Sequence, residues 1–254
     1  MTTTINENHQ KNGQTELKRD NEAEYLLKKT YTCPVCDKTF KALTVKAARP
    51  KLLRKDMDMR PVYQHIDIVK YDSIVCENCG YAALSQYFDR LSENQVKTIR
   101  NEVSQKFQGI EPAGQTYTYA EAVLRHKLAL ANAIIKRGKV SERAYICLKI
   151  AWLYRGEREM ESEDEEKRKK LYNLEMNFIK KAQNGFQEAS MNETFPIAGM
   201  DEWTFDFLLA ELCIECGEPA SALKLLSAII VSRNAPDRVK ERARELRDYL
   251  HEIE

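Results

Sequence analysis

No stretch of the 254-residue chain approaches the roughly 20 consecutive apolar residues that a membrane-spanning helix needs, so a soluble protein with no membrane partner is expected. The opening MTTTINENHQKNGQTELKRDNEAE has no apolar core of the kind a secretory signal requires. It is also too polar to bury anything, and residues 1–29 are expected to form a disordered polar tail. Excess charge of either sign is lacking: 40 Lys and Arg stand against 39 Asp and Glu, which argues against a chain that seeks polyanions over its whole surface. Catalytic signatures are missing as well. There is no Gly-rich phosphate loop, no HExxH pair and no nucleophile elbow, and His9, His65, His126 and His251 are scattered, so no enzyme is expected.

Cysteine is present, and its placement carries the strongest chemical signal. Seven cysteines without an export signal point to a reducing compartment, with the cytoplasm as the expected location. Four of them form two pairs, Cys33 and Cys36 in CPVCDKTF, and Cys76 and Cys79 in CENCGYAA. A tight turn between two cysteines at this spacing aims both sulfurs at one point, and two such turns complete a tetrahedron. Four sulfurs leave no open position for water or substrate, so one structural zinc ion is the expected cofactor. Binding of this kind is worth roughly 10–16 kcal/mol and counts as folding energy for a small unit. Gly80 follows the second pair, where it can take a left-handed backbone, and Pro34 stiffens the first. The competing readings are core cysteines, a redox dithiol, or iron in a similar thiolate cage. His65 lies between the pairs and is expected on a strand surface rather than as a ligand.

Residues 30–90 are therefore expected to form a small β zinc ribbon. Leu43, Val45 and Ala47, and later Val69, Tyr71, Ser73 and Val75, alternate with period two and predict strands. Residues 37–75 separate the pairs, more than the roughly 15–20 of a compact ribbon, so an extra loop or hairpin is expected.

From residue 91 to 254 the apolar spacing becomes helical, with breaks at Gly138, Gly185, Pro196, Gly199, Gly217 and Pro236. Over 120–137, Val123, Leu124, Leu128, Ala131, Ile134 and Ile135 predict one apolar face, and Ser141 is placed to cap the next helix. That helix, through Ala144, Cys147, Leu148, Ile150, Trp152 and Leu153, is apolar nearly all round and predicts the centre of the domain. The run 155–170, dense in both signs of charge, reads as a solvated turn and the exposed first turns of a helix, and Leu171, Leu174, Phe178, Ala182 and Phe186 predict the stripe of that long helix, which packs on the central one. A third CxxC, Cys213 and Cys216, falls inside a helical pattern stopped by Gly217, so these two read as small core residues; a redox dithiol is the least improbable enzymatic alternative. The fold class is thus mainly α with a small N-terminal β ribbon.

The last hairpin resembles a tetratricopeptide repeat, with Ala210 and Ala222 at close helix contacts and Gly217 at the turn. That resemblance implies a concave face for a peptide or partner helix. The knuckles YTCPVC and SIVCENCGYAA together with AWLYR resemble an uncharacterised bacterial family catalogued as domain of unknown function 2225, over roughly residues 30–250. The resemblance implies the fold and the zinc site and brings no activity. The leading expectation is a non-enzymatic adaptor that binds a protein partner through the helical domain, the ribbon or both. Nucleic acid is the alternative partner, because Lys46, Arg49, Lys51, Arg54, Lys55 and Arg60 cluster between the cysteine pairs, with Lys38 and Lys41 nearby, against Asp56 and Asp58.

Overall fold

The computed structural model describes residues 21–253 other than 112, 113 and 162. Six short strands come first and form three separate antiparallel hairpins: β1 (Leu26–Thr32) with β2 (Thr39–Val45), β3 (Leu52–Lys55) with β4 (Pro61–Tyr63), and β5 (Ser73–Val75) with β6 (Ala82–Leu84). The first and third hairpins carry the cysteine pairs in their turns. The second is the expected insertion.

The chain then turns helical. It runs through α1 (Glu93–Ile99), α2 (Tyr119–Ile135), α3 (Val140–Met160), α4 (Glu165–Asn192), α5 (Glu202–Glu215), α6 (Pro219–Val231) and α7 (Asp237–Ile253). The protein is mainly α with a small N-terminal β part. Capping boxes at Ser92–Gln95 and Thr118–Glu121 start α1 and α2, where side chain and backbone satisfy each other's free amides. From α2 onward each helix packs on its successor. No helix among the described residues is long and apolar enough to cross a membrane.

α3 is the centre, as its composition predicts, with Ile146, Leu148, Ile150, Ala151 and Leu153 all fully enclosed. Gly185 of α4 faces Ala144, so close that an added Cβ would stand 2.8 Å from the alanine methyl. The largest apolar cluster also includes Val69, Val75, Ala82 and Leu84, so the strand region and the helices share buried surface through α2 and α3.

Several expectations need correction. Residues 1–20 of the expected tail lie outside the described residues, but 22–25 form a 3₁₀ turn and 26–29 begin β1. Glu22 is anchored there by Lys70 at 2.5 Å and Leu26 is buried. On α2 the apolar face is rotated: Leu124 and Ile134 are 49% and 53% exposed, while Ala122, Arg125, His126, Ala129, Asn132 and Ala133 face inward. The inward face is partly polar because it meets the backbone of the strand region, so a hydrophobic count misplaces it. Ser141 does not cap α3; Lys139 is the N-cap, and the Ser141 amide and hydroxyl both donate to Glu193, at 2.9 and 2.6 Å. The solvated run begins only near Met160, because Arg155 and Gly156 are buried inside α3. Over 69–75 only the last three residues are strand, preceded by the 3₁₀ turn Ile68–Tyr71. Lys70 and Ile74 are buried together with Val69 and Val75, so both sides of the chain are covered and the alternation had no exposed face to report.

Candidate metal centre

The two cysteine turns have the same backbone construction. The Cys33 amide donates to the Lys38 carbonyl at 3.0 Å, and the Asp37 amide to the Cys33 carbonyl at 2.9 Å. In the second turn the Cys76 amide donates to the Tyr81 carbonyl at 2.8 Å and the Gly80 amide to the Cys76 carbonyl at 2.9 Å, spanning five and four residues as in the first. Each turn needs a left-handed residue at its fourth step. Gly80 supplies it with φ 74° and Asp37 with φ 60°. Asp tolerates that region better than most side chains, which is how the first turn manages without glycine. A Cβ on Gly80 would also stand 2.5 Å from the Phe107 ring, so glycine is required there for space as well.

Facing each other, the turns bring all four sulfurs within 4.8 Å of one another. Cys33 Sγ lies 3.6 Å from Cys79 Sγ, and Cys36 Sγ 3.7 Å from Cys76 Sγ. Disulfide bonding, which needs about 2.05 Å, is absent and all four are free cysteines. Cys33, Cys76 and Cys79 are buried, and Cys36 is the one partly open to solvent. The hydrogen bond shared with Cys76 pushes the Cys33 thiol far up, and the same bond pulls Cys76 down to about 2. Sulfurs this close cannot all ionise without a counter-charge, and a divalent cation at their centre would supply it. These four cysteines can hold a metal ion.

The surroundings hold the turns rigid. Tyr81, Phe88, Ile74 and Ile99 pack beneath the sulfurs, with the Tyr81 and Phe88 rings 5.0 Å apart and the Tyr81 hydroxyl donating to the Phe88 carbonyl at 2.8 Å. Outside, Asn78 Nδ2 donates to Cys36 Sγ at 3.4 Å, and Lys38 Nζ reaches Asn78 Oδ1 at 2.8 Å. Arg100 Nε donates to the Val35 carbonyl at 2.5 Å. From the helical side, buried Asn132 of α2 donates to the Gly80 carbonyl at 3.1 Å and so clamps the second turn. Asn132 and Arg100 escaped the sequence reading. The available signal was the lone amide of Asn132 in the otherwise apolar second half of α2, residues 128–135.

The basic residues between the pairs are not all alike. Arg49, Lys51, Arg54 and Lys55 are exposed and Lys46 is half-buried. Lys46 and Arg49 donate to the Glu24 carbonyl, at 2.9 and 2.6 Å, and Arg54 to Asp56 at 3.1 Å. Arg60 stands apart: it is buried, bonded to Asp56 at 2.7 Å and to Glu159 of α3 at 2.5 Å, and is not part of any solvent-facing set. Tyr71 is buried against Tyr117 with ring centroids 5.1 Å apart and presents no open ring face. His65 takes φ 66° in the bend after β4 and stacks on Tyr25.

The third CxxC sits in the core. Gln183 Nε2 donates to Cys213 Sγ at 3.6 Å, and burial pushes Cys213 up and Cys216 up to about 12. Cys147 is raised likewise to about 11. Thiols held this way stay protonated near neutral pH, the opposite of what redox attack requires. Among the described residues Cys33, Cys36, Cys76 and Cys79 form the only cluster of three or more side chains placed to hold a metal ion.

No curated protein and no solved structure shows significant similarity to the chain. A family model does, described as "Uncharacterized protein conserved in bacteria (DUF2225)", and it matches residues 26–250. It spans both cysteine turns, α2 through α6 and most of α7, and the chain belongs to that family.

Proposed function

We propose that this protein is a non-enzymatic, zinc-containing adaptor, in which one structural zinc ion fixes an N-terminal ribbon against a tetratricopeptide-like helical region that docks a protein partner. The observation that carries the metal assignment is the spacing of the sulfurs. With Zn–S bonds of about 2.3 Å a tetrahedral site sets neighbouring sulfurs roughly 3.8 Å apart. The pairs at 3.6 and 3.7 Å suit that edge. Four thiolates saturate the ion, so its contribution is shape rather than chemistry. The raised thiols of Cys213 and Cys216 weigh against the redox-dithiol alternative. A reducing compartment such as the cytoplasm suits free thiolate ligands.

The adaptor part rests on consecutive packed helix pairs, with Ala210 and Ala222 fully enclosed at close helix contacts and Gly217 at φ 75° in the turn. An unbiased pull-down with wild type and the Cys33→Ser, Cys76→Ser variant tests it. Protein partners lost with the metal are expected; recovery of the same background from both proteins would refute it. A second reading, nucleic acid, keeps one favourable observation: strand β3 and its approach hold Lys51, Arg54 and Lys55 exposed on a free edge. Binding of this kind would weaken steeply with salt. Indifference to charge reversal at Lys51 and Arg54 would end it.

A further inference from the structure

Nine of the 40 basic residues fall within residues 26–55 against a single acid, Asp37, while the rest of the chain carries 31 basic and 38 acidic residues. The near-neutral total therefore hides a positive segment, from β1 to β3, on an otherwise acidic protein. Within that segment the period-two alternation of β1 and β2 sorts side chains by face. Tyr31 and Phe40, directly opposite each other, pack on Phe88, and the three ring centroids lie 5.8 to 6.0 Å from one another. The other face of the hairpin is thereby turned to solvent.

That face is covered only at its start, where Leu26 and Leu43 are buried with Ile66, Tyr71 and Tyr117. Beyond them it carries Lys28, Thr30 and Thr32 on β1, and Thr39 and Lys41 on β2, and all five are exposed. Thr30 stands opposite Lys41 and Thr32 opposite Thr39, so two ammonium groups and three hydroxyls form one patch of hydrogen-bond donors. The neighbouring cations Arg49 and Arg100 have carboxylates, Glu24 at 3.9 Å and Asp37 at 3.4 Å; among the described residues Lys28 and Lys41 have none. A bilayer or a protein partner needs apolar side chains at the centre of its contact, and this face offers none. Ammonium and hydroxyl groups are the donors that hold a phosphodiester backbone.

We propose that the face formed by Lys28, Thr30, Thr32, Thr39 and Lys41 binds the sugar–phosphate backbone of a nucleic acid, without regard to sequence. This rests on the nucleic-acid reading, centres its contact on the β1–β2 sheet face rather than on β3, and leaves the helical region free for a protein. The face carries no Arg, Asn or Gln, the side chains that read base edges through paired hydrogen bonds, so its contacts are with phosphate. Exposed Lys29 and Lys38 flank it, and Lys51, Arg54 and Lys55 extend the positive field towards β3.

The test is fluorescence anisotropy of the full-length protein with two labelled probes, an oligothymidylate of about 20 nucleotides and a mixed-sequence duplex of the same length, which separate a single strand from a double strand as the source of the backbone. Binding to at least one probe is expected, with affinity falling about tenfold or more between roughly 50 and 200 mM salt. Lys28→Gln, Lys41→Gln should lower affinity about fivefold or more at the lower salt. It should also flatten the log–log salt slope by about 1.4 for the single strand or about 1.8 for the duplex, because each phosphate contact contributes roughly 0.7 or 0.9. Lys169→Gln, Lys170→Gln removes the same charge from exposed positions of α4 and should change neither quantity. All four lysines are exposed, so both variants should keep the wild-type circular dichroism spectrum and melting temperature. Equal losses in the two variants, binding to neither probe, or binding only to phosphatidylserine-containing vesicles would overturn the proposal. Binding lost on charge reversal at Lys51 and Arg54 but unchanged in Lys28→Gln, Lys41→Gln would leave the nucleic-acid reading standing and remove this surface, so the two fail separately.

Discussion

Arg155 offers the sharpest test of how the helices are held. Its three nitrogens serve three different carboxylates: Nη1 meets Asp58 at 2.9 Å, Nε meets Glu175 at 2.6 Å and Nη2 meets Glu215 at 3.1 Å. The side chain is buried, so water cannot take over when it is removed. Arg155→Met keeps the volume of the stem and deletes the only group that bonds all three acids. Breaking a buried ion pair from one side costs about 3–5 kcal/mol, which for a chain of this size lowers the melting temperature by roughly 6–20 °C. Arg155→Lys is expected to recover little of this, because one ammonium cannot span three acceptors. The loss should also depend on pH. Burial holds Glu215 up at about 8 and Glu211 at about 7, so below pH 7 both are protonated and need Arg155 less. Urea unfolding followed by circular dichroism at pH 5.5 and pH 8.5 reads both effects. A loss under about 1 kcal/mol, or one that does not grow with pH, would refute the reasoning.

Other consequences follow from single residues. Because Glu215 and Glu211 titrate in the folded protein well above the ordinary value of 4.5, stability should fall as pH rises from about 4.5 to 8, and Glu215→Gln should flatten part of that fall in pH-dependent unfolding. His126 behaves oppositely: burial lowers it from 6.5 to about 4, so the stability it gives above pH 6.5 is lost as pH falls through 4, and His126→Phe should remove that acid limb. Gly80→Ala meets both the left-handed backbone and the Phe107 ring, and should weaken metal retention against a chelator, whereas Asp37→Gly should not, since glycine takes φ 60° freely. An alkylating reagent should modify Cys36 soon after chelation and leave buried Cys147 and Cys213 untouched in the folded protein, as mass spectrometry of peptides would show.

What the sequence made legible was chemistry confined to short spacings. Two CxxC pairs, Gly80 after the second, and the all-round apolar α3 each report a local requirement, and each appears where the spacing placed it. The fit of α2 could not be read that way. Its inner face carries Arg125, His126 and Asn132 where it meets polar groups of distant segments, such as the Gly80 carbonyl held by Asn132 and the Ser73 hydroxyl, which donates to the carbonyl of Arg125 at 3.0 Å. Arg60 looked like one more surface cation among neighbours of the same sign. Its partner Glu159 lies 99 positions away, and no local pattern announces such a pair. Asp37 could not be foreseen as the counterpart of Gly80 either, since Asp is tolerated at many turn positions and required at few.

The central claim is that Cys33, Cys36, Cys76 and Cys79 together hold one structural zinc ion, and elemental mass spectrometry of the purified protein measures this directly. One zinc per chain in the wild type, lost in the Cys33→Ser, Cys76→Ser variant together with the order of β1–β2 and β5–β6, is the predicted result. Metal-free wild type that keeps the same fold, or zinc retained in full by the variant, would contradict it.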